Sequence, residues 1–168
     1  NQKIQDYIKG GSQGDLDLFK TPITSLPNNL TKVEGNLDLS ETPITSLPNN
    51  LKVENSLDLH GTQITSLPDN LKVGGYLDLV NTPIIQLPDN LEVGGDLILN
   101  NFVLSGNTPE EVASKIPSGL EVKGLIRGTI LNKEYYVKGI TQKKLMSLLK
   151  IPQQKTLAEV FKRWKDLI

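Results

Sequence analysis

Aliphatic residues recur along this chain with a period of about twenty. Leu16, Leu37, Leu57, Leu77 and Leu97 open successive units, spaced 21, 20, 20 and 20, and the one longer interval contains the additional Thr31. A second aliphatic stands two residues after each opener, at Leu18, Leu39, Leu59, Leu79 and Leu99. Next come a threonine (Thr21, Thr42, Thr62, Thr82), an isoleucine (Ile23, Ile44, Ile64, Ile84) and a Leu-Pro pair (Leu26-Pro27, Leu47-Pro48, Leu67-Pro68, Leu87-Pro88). A Leu-x-Val segment closes the unit at Leu51/Val53, Leu71/Val73 and Leu91/Val93. The alternation in Leu-Asp-Leu and Leu-Lys-Val predicts two short strands per unit, each with its aliphatics inward. Self-similarity at this period predicts a solenoid, because one unit cannot bury its apolar side alone and stacks on its neighbours.

The polar positions read as corners. Proline lacks an amide donor and presets its φ, so Pro-Asn-Asn and Pro-Asp-Asn after each leucine act as turns. Gly74-Gly75 and Gly94-Gly95 precede a strand, where a bend with positive φ suits glycine. Glu54-Asn55 stands in their place in one unit, with Asn expected in the left-handed region.

The segment Leu57-x-Leu59-x-x-Thr62-x-Ile64-x-x-Leu67-Pro68 resembles the leucine-rich repeat in its short, twenty-residue bacterial form. The resemblance covers residues 14 to about 104 and, more weakly, 116 to about 130. Two departures stand out. Threonine occupies the place of the family's asparagine ladder, and the Leu-x-Val segment adds a second strand that the family often lacks. The expected fold class is therefore a mainly β repeat solenoid, leucine-rich-repeat-like or β-helix-like, with a short helical insertion and a helical C-terminal cap. The departures favour a two- or three-sided β-helix over a curved horseshoe.

Four segments are expected. Residues 1–13 form an N-terminal cap in which Ile4, Tyr7 and Ile8 cover the first coil, since an open end exposes both apolar interior and unpaired edge. The solenoid runs over 14–104. Residues 105–130 hold a helical insertion beginning at Thr108-Pro109-Glu110-Glu111, with threonine as cap and proline at the first helical position, and then a degenerate last coil. That coil restarts at Ile116-Pro117-Ser118-Gly119-Leu120-Glu121-Val122, and Ile126 takes the place of an opening leucine, 29 residues after Leu97. Residues 131–168 form a basic cap: a strand at Glu134–Val137, a helix from Thr141 that Pro152 ends, and a second over 156–168 with Leu157, Val160, Phe161, Trp164 and Leu167 on one face.

Charge changes the picture of partners. Residues 1–118 carry 7 Lys and Arg against 15 Asp and Glu, a net of −8, while 119–168 carry 11 against 4, a net of +7. Such asymmetry suits either an interaction tail or a basic cap that neutralises the acidic stack. The chain has no cysteine, so disulfides and thiolate zinc sites are excluded. Apolar runs are too short to span a bilayer, and no secretory signal is visible, which leans toward the cytoplasm and leaves the compartment open.

Catalysis finds little support. His60 is the only histidine, set in a turn without a second histidine or a cysteine to build a triad or metal site. There is no phosphate-binding loop, dinucleotide fingerprint or nucleophile elbow. No enzyme activity, cofactor or metal is expected. The candidate partner-binding residues are Asp17, Asp38, Asp58 and Asp78, a column of outward carboxylates about 4.8 Å apart, together with Ile98, which ends the column, and Phe102. Like charges on adjacent strands are destabilising, so something is expected to compensate: a basic partner, a cation, or lysines reaching over. Thr24, Thr45 and Thr65 with Ser25, Ser46 and Ser66 would make a hydroxylated face with stacked side-chain hydrogen bonds. Lys32, Lys52 and Lys72 would make a basic column that Glu92 reverses. Lys162, Arg163, Trp164 and Lys165 form a candidate attachment helix, with Trp164 in the core if that helix is only a cap.

The leading expectation is a non-catalytic protein-protein interaction module that docks a partner on the acidic strand face. The resemblance to bacterial and phage repeat proteins implies a host-interaction role. Two alternatives stand beside it: a structural or decoration component of a larger, viral assembly, and an acidic inhibitor of a nucleic-acid-binding enzyme. Direct nucleic-acid binding is not expected.

Overall fold

The computed structural model describes residues 2–99, 117, 119–130 and 133–138, with 125–130 and 133–138 described in backbone alone. Over these the chain winds as a parallel β-solenoid with two sheets. The first contains β1 (Leu16–Asp17), β3 (Leu37–Asp38), β5 (Leu57–Asp58), β7 (Leu77–Asp78), β9 (Leu97–Ile98), β11 (Leu125–Ile130) and β12 (Lys133–Lys138), in the order β1-β3-β5-β7-β9-β11-β12. The second contains β2 (Lys32–Val33), β4 (Lys52–Val53), β6 (Lys72–Val73), β8 (Glu92–Val93) and β10 (Glu121–Val122), in the order β10-β8-β6-β4-β2.

Register follows the sequence period. Leu16 pairs with Leu37, Leu37 with Leu57, Leu57 with Leu77 and Leu77 with Leu97. Val33, Val53, Val73, Val93 and Val122 line up likewise in the second sheet. Backbone bonds cross from coil to coil, for example Leu37 N to Ser56 O at 2.9 Å and Glu54 N to Val33 O at 2.9 Å. Both strand residues that face inward, and the Ile and Leu of the extended third side, are buried in one continuous core. Stacking like on like explains why nearly identical units suffice: each leucine meets its own copy above and below, so one packing solution repeats.

The turn after β1, β3, β5 and β7 runs Leu-x-x-Thr. The threonine amide returns to the leucine carbonyl, at 3.1 Å from Thr62 to Leu59. Its hydroxyl donates to the same oxygen at 2.7, 2.6, 2.8 and 2.7 Å for Thr21, Thr42, Thr62 and Thr82. Threonine thus closes its own turn, where an asparagine ladder would bond the turn backbone. The third turn position is left-handed in each of these four coils, at Lys20 (φ 54°), Glu41 (57°), Gly61 (69°) and Asn81 (57°), as a type II turn requires. Asn50, Asn70 and Asn90 take the left-handed position at the Pro-Asx-Asn corner.

The glycine pairs have a different reason from the one expected. Gly74, Gly75, Gly94 and Gly95 do not have positive φ, and neither does Asn55. A Cβ on Gly74 would lie 1.9 Å from the Glu54 carbonyl oxygen, and one on Gly94 would lie 2.2 Å from that of Gly74. At Gly74 and Gly94 a side chain would force the coils apart as they stand, although Glu54 and Lys123 hold the same register position in other coils.

At the N-terminal end, α1 (Gln2–Lys9) covers the first coil. Ile4 is buried in the core, Tyr7 and Ile8 pack against it, and the Tyr7 hydroxyl donates to Ser12 O at 2.7 Å and Gly14 O at 2.8 Å. At the other end the coil resumes: β10 pairs in parallel with β8, Val122 opposite Val93, and β11 with β9, Ile126 opposite Leu97. β12 then pairs antiparallel with β11. The helix start at Thr108 and the helices expected over 141–149 and 156–168 lie outside the described residues. Among the described residues no helix is long and apolar enough to cross a membrane.

Candidate binding face

Successive side chains on a strand point to opposite faces, so the residues flanking each inward leucine form two outward columns on the first sheet. One column is Asp17, Asp38, Asp58, Asp78 and Ile98, paired in register from coil to coil, and in the same column Ile98 pairs with Arg127. The other is Asp15, Asn36, Ser56, Tyr76 and Asp96.

Each aspartate of the first column has a local structural task. Its Oδ1 accepts the amide two residues on: Phe19 at 2.9 Å, Ser40 at 2.9 Å, His60 at 2.9 Å and Val80 at 2.8 Å. The Ser40 hydroxyl adds a bond to Asp38 at 2.5 Å. These are Asx turns, in which a short carboxylate satisfies the backbone of the tight turn it starts. The fold therefore explains one oxygen of each carboxylate. The second oxygen accepts no hydrogen bond from any described residue, and Asp38, Asp58 and Asp78 enter no ion pair among the described residues. No lysine reaches over to them. Burial pushes the Asp58 carboxyl above the usual carboxylate range; the His60 amide opposes this, and the charges of Asp78 and Asp38 reinforce it. Among the described residues, the carboxylates of Asp38, Asp58 and Asp78 are therefore stacked in register without an ion pair.

The outward face of the second sheet is the opposite case. Lys32, Lys52, Lys72, Glu92 and Glu121 align in register, but glutamates interlace with the lysines. Lys32 lies 2.7 Å from Glu34 and 3.1 Å from Glu54, Lys52 lies 2.7 Å from Glu54, and Lys72 lies 2.5 Å from Glu92. Hydrogen bonds from Lys52 and then Lys32 hold the Glu54 carboxyl below its usual range. The expected basic column is thus a neutral zipper. On the third side Thr24, Thr45, Thr65, Ser25, Ser46 and Ser66 are exposed. Their hydroxyls bond no described residue, so the stacked side-chain bonding expected for them is absent.

Other sequence candidates fall apart from one another. His60 stands in its turn with Nε2 3.8 Å from Glu41 Oε1. Among the described residues no group of three His, Cys, Asp or Glu side chains is placed to hold a metal ion. Ile98 is partly buried at the end of the acidic column. Phe102 and Lys162, Arg163, Trp164 and Lys165 lie outside the described residues. Sequence reasoning missed Tyr76, which is 42% exposed in the second outward column. Its signal was present: Asp15, Asn36, Ser56 and Asp96 are all short and polar at that register, and Tyr76 alone is not.

No protein-family model, curated protein or solved structure matches the chain. Its class follows from its geometry: a short parallel β-solenoid of about twenty-residue turns with regularly spaced leucines, consistent with a leucine-rich repeat.

Proposed function

We propose that this is a non-catalytic protein-binding module whose first-sheet face docks a partner carrying positive charge. The observation that carries the reading is the contrast between faces among the described residues: second-sheet charges cancel in pairs, whereas Asp38, Asp58 and Asp78 stand in register with no ion pair to a described residue. Carboxylates stacked at strand spacing repel. A basic partner would remove that repulsion on binding and would be steered toward the face over long range. The flanking apolar residues, Val80 and Ile98, give such a partner something to bury. Resemblance to short bacterial and phage leucine-rich repeats supports a role in recognising a host protein, and fold-level analogy goes no further.

The test uses Asp→Asn changes, because an asparagine Oδ1 still accepts the turn amide while the charge is lost. The triple variant Asp38→Asn, Asp58→Asn, Asp78→Asn is expected to keep its circular dichroism spectrum and to lose capture of the partner retained by the unaltered chain. Capture that survives the triple change would rule the face out.

A further inference from the structure

We propose that Tyr76 and the aspartates around it form a recognition point for an arginine side chain of the partner protein. The inference rests on the docking reading above and names the chemistry at its centre.

The second outward column normally works for the fold. Asp15 Oδ1 accepts the Asn36 amide at 2.7 Å, Asn36 Oδ1 accepts that of Ser56 at 3.1 Å, and Ser56 Oγ accepts that of Tyr76 at 3.2 Å. Each short polar side chain caps the amide of the next coil. Tyr76 ends this ladder, because its only side-chain acceptor sits at the far end of a rigid ring. A tyrosine here forfeits a stabilising contact, while the residue stays 42% exposed and its hydroxyl bonds no described residue. Positions where a chain breaks its own local rule without a packing return are where function is expected.

Placement says what the ring serves. Tyr76 and Asp78 share one face of β7's coil, and Asp58 lies diagonally across on the neighbouring coil, a separation that an aromatic side chain spans. Beyond the effect of its own partial burial, the phenol is pushed up by Asp58, then Asp38, then Asp78. An electron-rich ring face beside carboxylates whose second oxygens bond no described residue suits a cation. Guanidinium fits better than ammonium, because it stacks flat on the ring and forks onto a carboxylate at the same time. A lysine has neither the plane nor the fork.

The experiment titrates the full-length, nitrogen-15-labelled chain with the peptide Gly-Arg-Gly-Arg-Gly-Arg-Gly and with its lysine analogue, following backbone amide shifts. The arginine peptide is expected to shift amides of 56–60 and 76–80, and to bind about 2- to 5-fold more tightly than the lysine peptide. Tyr76→Leu should weaken the arginine peptide by a similar factor, and Tyr76→Phe should retain it. Equal binding of the two peptides, undiminished binding by Tyr76→Leu, or shifts confined to the second sheet would overturn the assignment. Shifts on the acidic face that ignore Tyr76→Leu would sink the arginine point alone and leave the docking reading standing; undiminished binding by the triple asparagine variant would sink the docking reading itself.

Discussion

Glu41 carries a left-handed backbone without the exemption that Gly61 has at the equivalent turn position. A non-glycine residue there costs roughly 1–2 kcal/mol, against about 0.5–1 kcal/mol of extra chain entropy that a glycine loses on folding. Glu41→Gly is therefore expected to stabilise the fold by about 0.5 kcal/mol, read as a higher urea midpoint at unchanged slope. Thr62 works in the opposite direction: it is fully buried, and its hydroxyl lies 2.8 Å from the Leu59 carbonyl. Thr62→Val keeps shape and the amide bond but removes that hydroxyl, and should cost about 1 kcal/mol in the same assay. Asp58 connects stability to pH. Its folded-state affinity for a proton is raised, so its ionised form burdens the fold above that raised value, and stability returns as pH falls through it toward the ordinary carboxylate range. Asp58→Asn should accordingly gain about 0.5 kcal/mol at pH 7, and the gain should vanish in acid. Glu54 has the reverse sign: its folded value is depressed by Lys52 and Lys32, so its contribution is present at neutral pH and is lost in acid.

At the scale of elements, inward and outward positions were legible because a two-residue strand with alternating polarity has one way to sit on an apolar core. Leu57, Asp58 and Leu59 show it in three letters. The Asp column was legible as a column, but its turn-capping use was not, since an Asx bond depends on the backbone angles of the following turn. The glycine pairs were misread for a related reason. Sequence shows a missing side chain, and only the stacked coils show that the carbonyl of the previous turn fills the space. Gly94→Ala is expected to destabilise by about 1–3 kcal/mol, because its Cβ would meet backbone that cannot rotate away, 2.2 Å from Gly74 O. Thermal unfolding of this variant beside Glu41→Gly separates the two roles of glycine: one position demands it for contact, the other accepts it for conformation. Tyr76 escaped notice because it interrupts a polar ladder whose existence is visible only once the coils are aligned by register.

For the whole molecule, contacts run between neighbouring coils, so stability is expected to add coil by coil. Removing residues 57–76 takes out one period and joins Ser56 to Leu77, which restores the motif at the seam. The shortened chain should fold with the same spectrum and a denaturant slope reduced in proportion to the surface lost; failure to fold would show that the coils are not interchangeable. Removing one residue fewer would place every downstream leucine on the wrong face.

The antiparallel pairing of β11 with β12 has a consequence for how such a chain changes length. β12 turns back on β11 where the parallel winding of the described coils stops, and α1 closes the first coil, so the described coils have a stopper at each end. Growth or loss of units by unequal exchange between near-identical stretches of the gene is then confined to the interior. Each such event would lengthen or shorten the acidic column by one carboxylate while leaving both stoppers untouched, so relatives of different lengths should differ in the length of that column rather than in how they are sealed.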